Sequence, residues 1–295
     1  MPYFIYKHMV KLKTCIISIR KLTTAAVFVL LLFLYLTPCY AIELTLAWNA
    51  STGTAGYKIY YKTGCHSDPD NRDYDGTGAT IGISPTEVNS PIDIGASTRA
   101  TIHLPDGAYH FALTAYNEYG ESDYTTDYCT CKIQKVNAAR NLCTSLLSGY
   151  SNIIMDPDQY HLDSLVEIAE TEFFSFWEKA DAMGLITGDI CPTASMESIG
   201  DIIVLAVEDM VQQLSDGVDL ESSVGKMLGR RLLNEMQARC VRSFENEADE
   251  MFQMRWDQIL QLARIYGVII DFGPPSSDIE EIIDAMVTGV LADIL

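Results

Sequence analysis

Residues 100–122 read ATIHLPDGAYHFALTAYNEYGES, and their spacing decides the fold of the first part of the chain. Tyr109, Phe111, Leu113 and Ala115 alternate with His110, Ala112, Thr114 and Tyr116. Alternation at period two marks a strand with at least one buried face. LPDG before it and NEYGES after it are turn signals. The pattern recurs in IELTLAW at 42–48 and GYKIYYK at 56–62, which predicts a β region over residues 42–133.

From 134 to 295 the apolar period becomes that of amphipathic helices. Leu162, Leu165, Val166, Ala169, Phe173, Phe176, Trp177 and Ala180 share one face, and Asp163, Glu167, Glu170 and Glu178 lie mostly off it. A second stripe runs from Ile199 through Ile203, Val207 and Met210 to Leu214 and ends near Gly217. A third spans 220–266 with a break near SFENEADE, and a last one runs from Ile279 to Leu291. Asp156-Pro157 reads as a cap with a first-turn proline, Gly184 as a stop, and Ser277 with Glu280 as a capping box. The expected fold is multidomain, all-β followed by an acidic all-α bundle of five or six helices, with a short helix within 137–152.

The N-terminus predicts the compartment. Residues 1–24 hold five basic residues and no acidic one, ahead of AAVFVLLLFLYL and TPCYA. A basic flank, a short apolar run and a small-x-small end read as a secretory signal peptide over 1–41. An uncleaved anchor, or lipidation at Cys39, is the competing reading. No later segment is apolar enough to span a membrane, so no transmembrane segment is expected in the mature chain. Losing those five basic residues would take the formal net charge from −20 to −25. Such a chain repels phosphate backbones, and nucleic-acid partners are disfavoured. Beyond 41 there remain Cys65, Cys129, Cys131, Cys143, Cys191 and Cys240. An even set in an exported chain implies disulfides.

LTLAWNASTGTAGYKIYYKTG at 44–64 and SPIDIGASTRATIHLPDGAYHFALTAYNEYGESDYTTD at 90–127 resemble a bacterial fibronectin type III module. Trp48 matches the buried tryptophan of that family's second strand, and Tyr57, Ile59 and Tyr61 match its third. Leu104, Gly107 and Tyr109 match the turn and tyrosine that open its sixth strand. Asn117, Gly120, Glu121 and Ser122 match the turn before its last. The resemblance implies an extracytoplasmic β-sandwich that acts as spacer, adhesive or docking module, with Trp48 and Tyr109 in the core. It departs from the family in two places. With cleavage after Ala41 almost nothing precedes the Trp48 strand, which leaves an exposed edge, and CHSDPDNRDYDGTGATIGISPTEV is inserted after the third strand. In such a sheet the third and seventh strands are parallel and end at one edge, so Cys65 is expected to pair with Cys129 or Cys131. The other of these would then reach Cys143, leaving Cys191 and Cys240 to each other.

The insertion carries the one metal candidate. Asn71, Asp73 and Asp75-Gly76 fit the opening of a calcium loop, but Gly82 stands where a bidentate glutamate is needed. Asp68 and Asp70 would serve only in another geometry, so a solvated acidic loop is the plainer reading. No other cofactor is implied. Ser223 and Lys226 form S-x-x-K, yet the KTG at 62–64 precedes it and lies in a strand, so the pair reads as coincidence. The helical half has one histidine, His161, and no E-x-x-H pair for a di-iron site. Glu245, Glu247, Asp249 and Glu250 read as a solvated face. The resulting expectation is an exported, non-enzymatic protein for binding, adhesion or surface assembly, with a protein or glycan partner. The alternative is an exported hydrolase with carboxylates in the helical half and the sandwich as accessory module.

Overall fold

The computed structural model describes residues 42–65, 73–84, 86–125, 128–187, 191, 195–247, 249–269 and 275–294. Residues 1–41, expected to be a signal peptide, lie outside them, as do Asp68, Asp70 and Asn71. Among these residues two antiparallel sheets are followed by six helices. The chain divides into two compact units: residues up to 129 with 183–189, and 130–182 with 190–295.

The first sheet orders β1 (Ile42–Ala47), β6 (Arg99–Leu104), β3 (Ala79–Ile81) and β4 (Glu87–Val88). The second orders β5 (Ile92–Gly95), β2 (Gly56–Thr63) and β7 (Tyr109–Asn117), with β8 (Gly120–Glu121) and β9 (Tyr128–Cys129) both pairing with β7. The longest ladder joins β2 to β7 in the register Tyr57↔Ala115, Ile59↔Leu113 and Tyr61↔Phe111. Alternation along these strands turns those six side chains to the same face. Five of them are buried in one core with Leu44, Leu46, Trp48, Ile102, Leu104 and Tyr109, while Ala115 packs at its margin. Each large side chain so removed from water contributes about 1.5–3 kcal/mol. Among the described residues β1 is the terminal strand of its sheet.

The insertion is less loop-like than its composition. β3 and β4 both lie within it, and β3 pairs with β6 at Thr80↔His103 and Ile81↔Ile102. Strands of two or three residues are too short to show a period.

The second unit begins on α1 (Thr130–Met155), 26 residues long rather than a short helix within 137–152. Its polar start, TCKIQK, hides the onset. Lys135 in this stretch is only 2% exposed, its Nζ 2.6 Å from Asp181 and 4.7 Å from the centre of the Trp177 ring. α2 (Leu162–Thr187) starts later than the Asp156-Pro157 signal and runs through Gly184. Asp156 instead caps an isolated turn, its carboxylate accepting from the Gln159 amide at 3.2 Å. α3 (Met196–Gly217) is capped by Ser195, which accepts from the Ser198 amide at 3.1 Å, and it stops at the expected glycine. Ile199, Ile203, Val207, Met210 and Leu214 are fully buried along it. α4 (Ser223–Phe244) is capped by Ser222, α5 (Phe252–Ile265) follows the break, and α6 (Ser276–Ile294) closes the chain. Ser277 lies inside α6, so it is not the cap that the box pattern indicated. One core of side chains from all six helices, with Trp177 and Trp256 within it, fills this unit. Among the described residues no helix is long and apolar enough to cross a membrane.

The six cysteines of the described residues are all paired. Cys65 bonds Cys129 with Cα atoms 5.3 Å apart, one of the two partners expected. Lys62 on β2 and Cys129 on β9 flank His110 of β7 from opposite sides, two strand spacings apart. The gap closes just beyond β2, at Gly64, whose φ of 100° is a conformation that favours glycine. The Gly64 amide donates to the Ala108 carbonyl at 2.7 Å, and its own carbonyl accepts from His110 Nδ1 at 3.0 Å. The remaining expectation is corrected: Cys131 bonds Cys191, not Cys143, and Cys143 bonds Cys240. Elimination failed because α1 starts at Thr130, so Cys131 and Cys143 sit on one continuous helix and cannot reach each other. Three disulfides indicate folding in an oxidising environment.

Candidate functional site

Of the expected metal residues, Asn71 lies outside the described ones and Asp73 and Asp75 lie within them. Asp73 and Asp75 are exposed on either side of Tyr74, which is buried. Gly76 has a packing reason for being glycine. A Cβ there would lie 2.3 Å from the Tyr61 ring, and the Gly76 amide donates to the Tyr61 carbonyl at 2.9 Å. The segment is therefore laid along β2 by its backbone. The sulfurs of Cys65, Cys129 and Cys131 are held in disulfides and offer no thiolate to a metal.

Among the described residues, five carboxylates of the helical unit, Glu235, Glu245, Asp249, Glu280 and Asp284, are paired with arginines. Glu245 accepts from Arg140 at 3.0 Å. Asp249, expected on a solvated face, has a side chain only 4% exposed and is gripped by Arg242 and by Arg255, the latter at 2.7 Å. Burial alone would raise its pKa, but the bonds from Arg255 and Arg242 outweigh it and hold the carboxyl below the usual range. Arg255 also binds Glu235 at 2.6 Å, and Arg239 binds Asp284 at 2.6 Å. Asp249, held ionised in this way, is unsuited to act as a general acid at neutral pH. Ser223 and Lys226 open α4, where Ser222 supplies the cap.

The sheet region carries a second aromatic cluster that the strand pattern does not show. Tyr60, on the opposite face of β2 from Tyr57 and Tyr61, meets Tyr74 edge-on at 5.8 Å and Tyr124 at 4.8 Å. Tyr74 also contacts Tyr124 and His110. Beside this cluster Glu121 accepts three bonds of 2.6 Å, from Lys58 Nζ, Tyr60 Oη and Thr114 Oγ1. Partial burial pushes the Glu121 pKa up, but the bonds from Lys58, Thr114 and Tyr60 prevail and lower it from 4.5 to about 2. Burial, reinforced by Glu121, drives the Tyr60 phenol well above its ordinary value.

Because the folded-state pKa of Glu121 is depressed, its contribution is complete above pH 4.5 and is lost as pH falls towards 2. The residue is substantially exposed, so screening limits the effect to about 1 kcal/mol or less. Glu121→Gln is expected to flatten the decline in stability of the sheet unit across that window. Urea midpoints taken at pH 6 and pH 3 check it, and an unchanged difference between the two would refute the assignment.

Next to Glu121 is a groove of about 780 Å³. One wall is the β1–β2 connection at 49–54, and the other is the β7–β8 turn with the segment that follows it. Trp48, Tyr57 and Leu113 are buried at its base. Asn117 Nδ2 donates to the Gly53 carbonyl at 3.0 Å, and the Ala55 amide donates to the Tyr116 carbonyl at 2.8 Å. The two walls are thus bonded to each other. Tyr57 Oη accepts from the Ser51 amide at 2.7 Å, which fixes the first wall to the core. Tyr119 stands 89% exposed at the rim. NEYGES, read in sequence as turn punctuation, supplies Asn117, Tyr119 and Glu121 to this site.

Compared with known proteins, the chain matches no family model and no curated sequence.

Proposed function

We propose that this chain is an exported, non-enzymatic binding protein, whose sheet region is a fibronectin type III-like β-sandwich presenting the groove to a protein or glycan. The observation that carries the reading is the groove itself, concave and braced wall to wall by backbone and amide bonds. Sites of this kind bind with little ordering cost, because the walls are already in place. The strand order supports the sandwich assignment. β5-β2-β7 with the last short strands beyond β7, and β1 beside β6 in the other sheet, is compatible with such a module. Three disulfides suit a life outside the reducing cytoplasm, at the cell surface or beyond it.

Photo-crosslinking in the producing cells tests the proposal. A photoreactive residue placed at Tyr119 is expected to capture a defined partner, whereas one at the exposed Glu178 of α2 is not. Capture from 178 with none from 119 would move the binding function out of the groove and overturn the reading.

A further inference from the structure

The groove's lining selects among ligand chemistries. None of the residues that line it is lysine, arginine or histidine, and two are carboxylates, Glu121 and Asp123. An anionic ligand would meet like charge with no cation to offset it. The Lys58 ammonium near this wall is already bonded to Glu121 at 2.6 Å and lies 5.5 Å from the Tyr116 ring centre. That pairing also cancels the Glu121 charge, so the groove keeps one carboxylate, Asp123, which is too little to select a basic peptide.

What the lining does offer is neutral. Among the described residues, the side chains of Asn49 and Thr52 on one wall and the Tyr119 hydroxyl on the other make no hydrogen bond. All three residues are exposed. Tyr119 presents both an open ring face and a hydroxyl. An aromatic face flanked by an amide, hydroxyls and one carboxylate matches an alternation of C–H faces and hydroxyl edges. A pyranose ring has that alternation. At about 780 Å³ the groove is at the large end of small-molecule sites and has room for more than one ring.

We infer that the groove between residues 49–54 and 117–125 binds an uncharged oligosaccharide, with the sugar stacked on Tyr119 and hydrogen-bonded by Asn49, Thr52 and Asp123. The inference rests on the binding role proposed above and narrows it to one ligand class.

The experiment uses the full, oxidised chain. It is screened on an array of neutral glycans and titrated, with saturation-transfer NMR, against maltotetraose, cellotetraose and chitotetraose. A tetragalacturonate serves as the anionic probe and tetralysine as the cationic one. At least one neutral glycan is expected to bind, and Tyr119→Ala is expected to weaken it about tenfold, the effect of losing one good stacking contact. Thr52→Ala should weaken it further, with unfolding midpoints unchanged because both residues are exposed. Binding of tetralysine or tetragalacturonate with no neutral glycan would overturn the carbohydrate assignment and leave the binding role standing. Neutral-glycan binding untouched by both substitutions would place the sugar elsewhere and overturn it too. No binding by any probe, together with no crosslink from position 119, would overturn both readings.

Discussion

Trp48→Ala is expected to destabilise the sheet unit by about 3–5 kcal/mol, the usual loss for truncating a large buried aromatic. Trp48 is 5% exposed at the end of β1, and its ring meets Tyr57 edge-on at 5.5 Å. Both rings belong to the core shared by the two sheets, so the void would open where strands from each sheet meet. A loss of this size is a large part of the stability of an ordinary domain. The helical unit has its own core, and a single global midpoint would mix two transitions. Hydrogen exchange separates them. Peptides from β2 and β7 should lose protection, and peptides from α3 should keep it. Undiminished protection in β2 and β7 would show that Trp48 does not hold the sheets together.

The second large effect belongs to the helical unit. Cys143 and Cys240 are fully buried on α1 and α4, and their bond spans 97 residues of sequence. Closing a loop of that length restricts the unfolded chain by about 4–5 kcal/mol in the chain-entropy description. Replacing both by alanine is therefore expected to lower the stability of this unit by several kcal/mol, with alanine chosen because a buried serine hydroxyl would add its own penalty. The urea midpoint of the helical unit, read from exchange in α3 and α4, provides the check. An unchanged midpoint would count against the bond, as would non-reducing peptide maps that join Cys143 to Cys131.

The parts of this fold legible in sequence are those where one period persists for several residues. β2 and β7 alternate over eight and nine residues, and the α3 stripe repeats over about four turns. The parts that were not legible depend on partners far along the chain. Glu121 looks like any turn residue until Lys58 and Tyr60, 63 and 61 positions away, are folded against it. Lys135 looks like a solvated charge, and only the packing of α1 near Asp181 and Trp177 makes it a buried one. Asp249 misled in the same way, since its neighbours Glu245, Glu247 and Glu250 suggest a wet face while Arg242 and Arg255 cover it. The groove was hidden for a related reason. Its walls are two connections that carry no period, and only the β2–β7 ladder brings them together.

The disulfide pattern bears on how this chain responds to a pull. Cys65–Cys129 closes 64 residues, and the next bond starts at Cys131 after a single intervening residue. Cys143 lies inside the Cys131–Cys191 loop and Cys240 outside it, so the two loops interlace, and breaking either bond alone frees only the part of its loop that lies outside the other. Under tension along the backbone, the 64 residues of the first loop alone withhold roughly 200 Å of contour at ~3.3 Å per residue. Even fully unfolded, the oxidised chain is therefore a short tether. Reduction would release that slack in steps, one for each sulfur–sulfur bond.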